Sequence, residues 1–179
     1  MIARRTVLRA GGWTAGLALL GFPLPSLAAP VVEIRMRGNR DGSRVWFDPV
    51  GVLVEPGQTL RWINADPGNA HTSTAYHPAN GGHPLRIPQG AEPWTSDYLL
   101  PEQSFELRLT AEGTYDYFCM PHEEAGMVGR IVVGRPDAGR SPAPLPNAAL
   151  RSLPSPEDIV RLRIIRADPD GDPHRVNPR

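Results

Sequence analysis

The 179-residue chain has one cysteine, no lysine and no long run of apolar residues. A single cysteine excludes an intramolecular disulfide. Short, interrupted apolar runs exclude a stable membrane span in the mature protein. The 19 basic residues, all arginine, balance 19 acidic residues, so no excess of charge points to nucleic acid or to a membrane surface. The length is enough for one domain with a hydrophobic core.

Residues 1–28 are predicted to be a twin-arginine-type signal peptide. Arg4 and Arg5 precede the apolar stretch "WTAGLALLGF", and "PSLAAP" supplies small residues for cleavage after Ala28. We therefore expect export to the periplasm, and an uncleaved N-terminal anchor is the alternative. Without this segment the chain has 16 arginines and 19 acidic residues, which is a net charge of −3.

Residues 29–134 are predicted to form an all-β domain. The stretches "VVEIRMR" and "SFELRLT" alternate apolar and polar residues, as half-buried strands do. "VLVEPGQTLRWIN" gives two short strands around a turn, and "GRIVV" closes the set. In "GTYDYFC" the alternation places Tyr115, Tyr117 and Cys119 on one face. Several short strands separated by Gly and Pro turns favour a β-sandwich.

Residues 135–179 are predicted to be a Pro-rich tail, because they contain 9 prolines and few large apolar groups. A short helix is expected over 156–165, with Ser155 as N-cap and Pro156 as its first residue. The residues after it are expected to be disordered. The tail has a net charge of +2 and residues 30–134 a net charge of −5, so the tail could fold back on the domain or reach a partner.

The only cysteine lies in "CMPHEEAGM", where Cys119, His122 and Met127 follow a C-x2-H-x4-M spacing. The thiol could be an inert core residue, a nucleophile or a metal ligand. A nucleophile with His122 as base leaves Met127 unexplained. Thiolate, imidazole and thioether together are a soft ligand set that suits copper. Two imidazoles and a thiolate with a weak axial thioether form the blue-copper site, so we look for a second histidine.

The candidates for that second imidazole are His71, His77, His83 and His174. His71 opens the β-like run "HTSTAY" just after the "RWIN" strand, so it can reach the end of the sandwich where the Cys119 loop lies. His77 and His83 fall in a long Pro-, Gly- and His-rich segment, where they are solvated loop residues or a second, weaker metal site. We predict His71 as the ligand.

With these residues in place, the sequence resembles the cupredoxins, and among them the plastocyanins, pseudoazurins and halocyanins. The resemblance rests on "FDPVGVLVEPGQTLRWIN", "AHTSTAY" and "GTYDYFCMPHEEAGMVGRIVV". It implies an eight-stranded Greek-key β-sandwich with one copper near one end. The copper ligands implied are His71, Cys119, His122 and Met127. Thr72 departs from the asparagine that plastocyanins commonly carry at that position.

Three classes of function remain. An electron shuttle would be a monomeric type-1 copper protein that exchanges single electrons with redox proteins, such as a c-type cytochrome or a membrane electron-transfer complex. A copper-resistance or copper-delivery protein would use a second site around His77 and His83. A copper oxidase or nitrite reductase needs further copper, typically with a histidine beside the cysteine and His-x-His pairs. The chain has neither feature, so we predict the shuttle and not an enzyme.

Overall fold

The computed structural model describes residues 30–138, Leu150, 153–167 and 176–177. The predicted signal peptide lies outside the described residues, as does His174. None of the helices in the described segments is long and apolar enough to cross a membrane.

The described residues form two β-sheets that face each other. The first has the strand order β2-β1-β4-β6 and the second β10-β9-β3-β8-β7-β5. The strands are β1 (Val32–Gly38), β2 (Val45–Asp48), β3 (Gly51–Val54), β4 (Thr59–Asn64), β5 (Thr74–Ala75), β6 (Ser104–Arg108), β7 (Gly113–Phe118), β8 (Val128–Val133), β9 (Ile164–Ala167) and β10 (Val176–Asn177). Helix α1 spans Pro156–Leu162, and a 3₁₀ turn spans Met120–His122.

Strands β1 to β8 make the expected eight-stranded sandwich. The chain crosses repeatedly between the sheets, so that β1 and β4 pair in parallel in one sheet and β3 and β8 pair in parallel in the other. The remaining pairs within these eight strands are antiparallel. The prediction of an all-β Greek-key sandwich is confirmed.

The main core lies between the sheets and reaches the end where β7 stops. In β4 every second residue is buried, which follows from the two-residue period of a strand. Tyr115, Tyr117 and Cys119 all point into this core, as the alternation predicts. Trp62 packs edge-on against Tyr117, with ring centroids 5.5 Å apart. Bulky aromatic rings thus fill the space beneath the Cys119 loop.

The tail folds back on the second sheet. Helix α1 begins at Pro156 after the N-cap Ser155, whose hydroxyl accepts a hydrogen bond from the Asp158 amide at 3.0 Å. The prediction of a helix as far as residue 165 was wrong, because the helix ends at Leu162 and the chain enters β9 at Ile164. Strand β9 then pairs antiparallel with β3. Ile159 and Ile165 are buried in a second apolar cluster that contains residues of both the tail and the sandwich, namely Val50, Tyr76, Phe118, Val128, Val132, Leu150, Leu153, Ile159 and Ile165. The residues after the predicted helix were expected to be disordered. This expectation was wrong for the last residues of β9 and for the residues of β10.

Candidate metal centre

Three of the four predicted ligands present donor atoms to one point at the end of the sandwich. The Sγ atom of Cys119 lies 3.6 Å from Nδ1 of His71 and 3.5 Å from Nδ1 of His122. All three atoms lie within 4.8 Å of one another, so a single ion can contact all of them. Among the described residues this is the only group of three or more His, Cys, Asp or Glu side chains with such spacing.

The loop between β7 and β8 positions Cys119, His122 and Met127. The backbone N–H of Cys119 donates to the carbonyl of Met127, and the N–H of Met127 donates to the carbonyl of His122, both at 3.0 Å. The 3₁₀ turn adds a bond from the N–H of His122 to the carbonyl of Cys119 at 3.0 Å. Met127 is fully buried in the same core as Cys119. Backbone hydrogen bonds within the loop therefore fix Cys119, His122 and Met127 relative to one another.

His71 comes from the other side of the sandwich end, on the segment between β4 and β5. Its backbone pairs with Leu99 through two hydrogen bonds of 3.1 and 2.8 Å, which fixes the segment against the long loop that follows β5. The imidazole is fully buried. Its Nε2 atom lies 2.9 Å from Oδ2 of Asp66, which is itself buried. The sequence alone did not point to Asp66.

Thr72 joins the two ligand segments. Its backbone N–H donates to Sγ of Cys119 at 3.3 Å, and its hydroxyl accepts a hydrogen bond from the Met120 N–H at 2.9 Å. The threonine that departs from the plastocyanin pattern therefore still connects both loops.

Burial sets the protonation of the site. It raises the pKa of the Cys119 thiol to about 11, although the hydrogen bond from the Thr72 amide opposes part of the shift. Burial lowers the pKa of His71 below its usual value, and Asp66 partly opposes this. Burial and the nearby His71 lower the pKa of His122 as well. At neutral pH the imidazoles are thus neutral with free lone pairs, and a bound cation must displace the proton of the thiol.

The donor set fits copper. Two neutral imidazoles and a thiolate are soft or borderline ligands, and the carboxylate nearby is turned to the far side of His71. Magnesium and calcium prefer sites built from oxygen atoms. Cys119, His71 and Met127 are fully buried, so the polypeptide excludes water from three sides of the site.

His83 lies outside this group. Its Nδ1 is 2.6 Å from the carbonyl oxygen of Asn80, and its Nε2 is 3.0 Å from Oε2 of Glu123. Its ring stacks on Phe118 with centroids 4.4 Å apart. The interpretation of His83 as a solvated loop residue was wrong, because both ring nitrogens contact protein atoms. His77 uses Nδ1 to accept a hydrogen bond from the Ala79 amide. Among the described residues, neither histidine belongs to a group of three or more side chains that could hold a metal ion.

The chain is similar in sequence to plastocyanins and pseudoazurins. A family model described as copper binding proteins of the plastocyanin/azurin family matches residues 34–134. A chloroplastic plastocyanin of Tetradesmus obliquus is 31% identical over 123 residues, which cover 66% of this chain and 77% of that protein. A pseudoazurin of Paracoccus pantotrophus is 30% identical over 120 residues, which cover 67% and 74%. A crystal structure of pseudoazurin from Methylobacterium extorquens AM1 gives a TM-score of 0.48 at 26% identity, covering 68% of this chain and 93% of that chain.

Proposed function

Because the chain belongs to the plastocyanin/azurin family of copper-binding proteins, we propose that it is a type-1 copper protein that carries single electrons between redox proteins. The observation that supports this most directly is the convergence of Cys119 Sγ with Nδ1 of His71 and Nδ1 of His122 at one buried point. We propose that these three residues and Met127 are the copper ligands, with the Met127 thioether as the weak axial ligand.

Bound copper supplies a carrier for one electron, because it alternates between Cu(I) and Cu(II). Hydrogen bonds of Thr72 and of the Met127 backbone hold the two segments that carry the three donor atoms together. A site fixed in this way needs little rearrangement when the charge of the ion changes. Such a site suits rapid electron transfer better than storage and release.

The route for the electron follows from burial. Cys119 is fully buried and continues strand β7 into the protein. His122 is partly exposed, so its ring edge offers the shorter path to a partner at the surface. No substrate pocket is required, and Cys119 has Phe118 and Met120 as neighbours, not a histidine that could link to a second copper. We therefore infer that the protein is not itself an enzyme.

The copper-resistance or copper-delivery alternative depends on a second site around His77 and His83. The contacts of His83 with Asn80 and Glu123 leave neither ring nitrogen directed at a shared ion. No observation favours that function over electron transfer.

The remaining features of the proposal come from the sequence. We propose that residues 1–28 direct export to the periplasm, that 29–134 form the copper domain, and that 135–179 are the tail. The mature protein would act as a monomer on other redox proteins, a c-type cytochrome or a membrane electron-transfer complex being the partners expected.

A copper titration of the mature protein tests the proposal. We expect an intense visible thiolate-to-copper band that saturates at about one copper per chain. Cys119→Ser should abolish the band, whereas Met127→Leu should keep it and raise the reduction potential. Met120→Leu is the matched control, because it changes an exposed methionine next to the cysteine and should leave band and potential alone. A strong band that survives in Cys119→Ser would overturn the ligand assignment, and stable binding of a second copper would favour copper handling.

A further inference from the structure

We propose that Asp66 is a positioning residue of the copper centre: its buried carboxylate fixes the tautomer of His71 and places a negative charge behind it that favours Cu(II) over Cu(I). This inference rests on the proposed role of His71 as a ligand.

The hydrogen bond between Asp66 and His71 determines which ring nitrogen of His71 carries the proton. A carboxylate can only accept hydrogen bonds, and a neutral imidazole carries one N–H. Because Oδ2 of Asp66 lies 2.9 Å from Nε2 of His71, the proton belongs on Nε2. Nδ1 then has a free lone pair, and it is this atom that lies 3.6 Å from Sγ of Cys119. Asp66 thus turns the metal-binding nitrogen toward the metal site.

The carboxylate is held in its ionised form by further donors. The Gly68 amide donates to Oδ1 and the Asn69 side chain donates to Oδ2, each at 2.9 Å. With Nε2 of His71, these donors surround the carboxylate, and hydrogen bonds to a carboxylate favour its charged form. The aspartate is only 2% exposed, so solvent screens its charge little.

Space for the carboxylate is provided by strand β1. A Cβ atom built on Gly38 would collide with the Asp66 carboxylate. Gly38 does not lie in the left-handed region, so its backbone conformation does not demand glycine. The missing side chain is explained by the close approach of Asp66, which links a residue of β1 to the orientation of His71.

Among the described residues, the one ion-pair partner of Asp66 is His71, and no arginine lies within ion-pair distance of it. A carboxylate hydrogen-bonded to a ligating imidazole makes the ligand more basic. A negative charge in a poorly screened site also stabilises the more highly charged state of the metal. Both effects lower the reduction potential.

The test is Asp66→Asn in the copper-loaded mature protein, since asparagine keeps the shape and removes the charge. The donor atoms remain, so the visible band should persist. Loss of an outer partner of a ligating histidine typically changes metal affinity by about 10- to 100-fold. We expect the ratio of Cu(I) to Cu(II) affinity to rise by about tenfold, which for one electron raises the potential by about 59 mV.

Two further variants make the result specific. Glu124→Gln removes the same charge from an exposed position two residues after His122, where solvent screens it, and should leave the potential nearly unchanged. Gly38→Ala should push the carboxylate away from His71 without removing it, and should shift the potential in the same direction as Asp66→Asn. This second variant also tests the proposal if Asp66→Asn does not fold.

A measurement without metal separates this proposal from the proposed function. Nitrogen NMR of the copper-free protein should show the His71 proton on Nε2, and Asp66→Asn should shift it toward Nδ1. A proton on Nδ1 in the unmodified protein would overturn the positioning role. An unchanged potential in Asp66→Asn and Gly38→Ala, with the band intact, would overturn the electrostatic role while electron transfer stands. Absence of any thiolate-to-copper band in the unmodified protein would instead overturn the proposed function.

Discussion

Asp66 and Asp116 are both buried carboxylates, but their surroundings differ. Asp116, on β7, receives hydrogen bonds from Nε and Nη2 of Arg130 at 2.6 and 2.9 Å and from Nε of Arg86 at 2.7 Å. Asp66, beside the metal site, receives them from an amide, an asparagine and a neutral imidazole. Two arginines balance the charge of Asp116, whereas Asp66 has no arginine within ion-pair distance in the part of the chain that the structure describes.

The difference indicates two uses of a buried acid. Around Asp116, Arg86 belongs to the long loop after β5, and Nη1 of Arg130 donates to the carbonyl of Pro154 in the tail at 2.9 Å. The ion group therefore joins the loop, the second sheet and the tail. A charge neutralised in this way exerts little field at a distance, whereas the charge of Asp66 acts on the imidazole that it contacts.

The largest effect is expected for Asp116→Asn. The substitution removes the anion that the buried Arg130 and the half-buried Arg86 share, and breaking a buried ion pair typically costs about 3–5 kcal/mol. Denaturant unfolding of the copper-free protein should show a loss of that size, while the potential of the loaded protein stays near its original value. Glu112→Gln is the control, because the side chain of its partner Arg135 is 76% exposed, so solvent screens the pair and its loss should leave the free energy of unfolding nearly unchanged. If Asp116→Asn shifted the potential as much as Asp66→Asn, the contrast between the two carboxylates would fail.

Ile159→Ala should have the next largest effect, again on the tail side. Ile159 is fully buried against the second sheet, and a Cβ built on Gly51 of β3 would meet its side chain. Truncation of a buried isoleucine costs about 2–5 kcal/mol. Val160→Ala, on the exposed side of the same helix, is the matched control. It should change the free energy of unfolding by about 0.5 kcal/mol or less, which is usual for surface positions. Equal losses from the two variants would mean that α1 does not pack as the structure shows.

The sequence predicts the candidate metal centre better than it predicts how the tail packs. The spacing of Cys119, His122 and Met127 lies within one loop, where the number of intervening residues limits the geometry directly. The alternation in β7 likewise predicts which of its side chains reach the core. The tail gives no such signal, because its buried residues Leu150, Leu153, Ile159 and Ile165 are separated by polar and proline residues without a strand or helix period.

Asp66 could not be found from the sequence for a different reason. Its contact with His71 depends on the turn between them and on the absence of a side chain at Gly38, which lies on another strand. The arrangement depends on two segments at once, the loop between β4 and β5 and strand β1. The residue pattern of one segment alone therefore cannot predict it.

The smallest effect is expected for Thr72→Ala. This variant separates the role of the Thr72 hydroxyl at the candidate metal centre from that of the Asp66 charge. The substitution removes the hydroxyl that accepts from the Met120 N–H and is hydrogen-bonded to the Thr74 hydroxyl at 3.0 Å. It keeps the backbone donor to Cys119 Sγ, since that donor is the amide of residue 72. Loss of these two hydrogen bonds should lower the free energy of unfolding by about 1–2 kcal/mol. Thr72→Ser keeps the hydroxyl and should recover most of that loss. The visible band and the potential should change little in either variant, because neither the donor atoms nor the charge of Asp66 is altered. A shift of the potential in Thr72→Ala comparable to that in Asp66→Asn would show that loop rigidity, and not the buried charge, sets the potential.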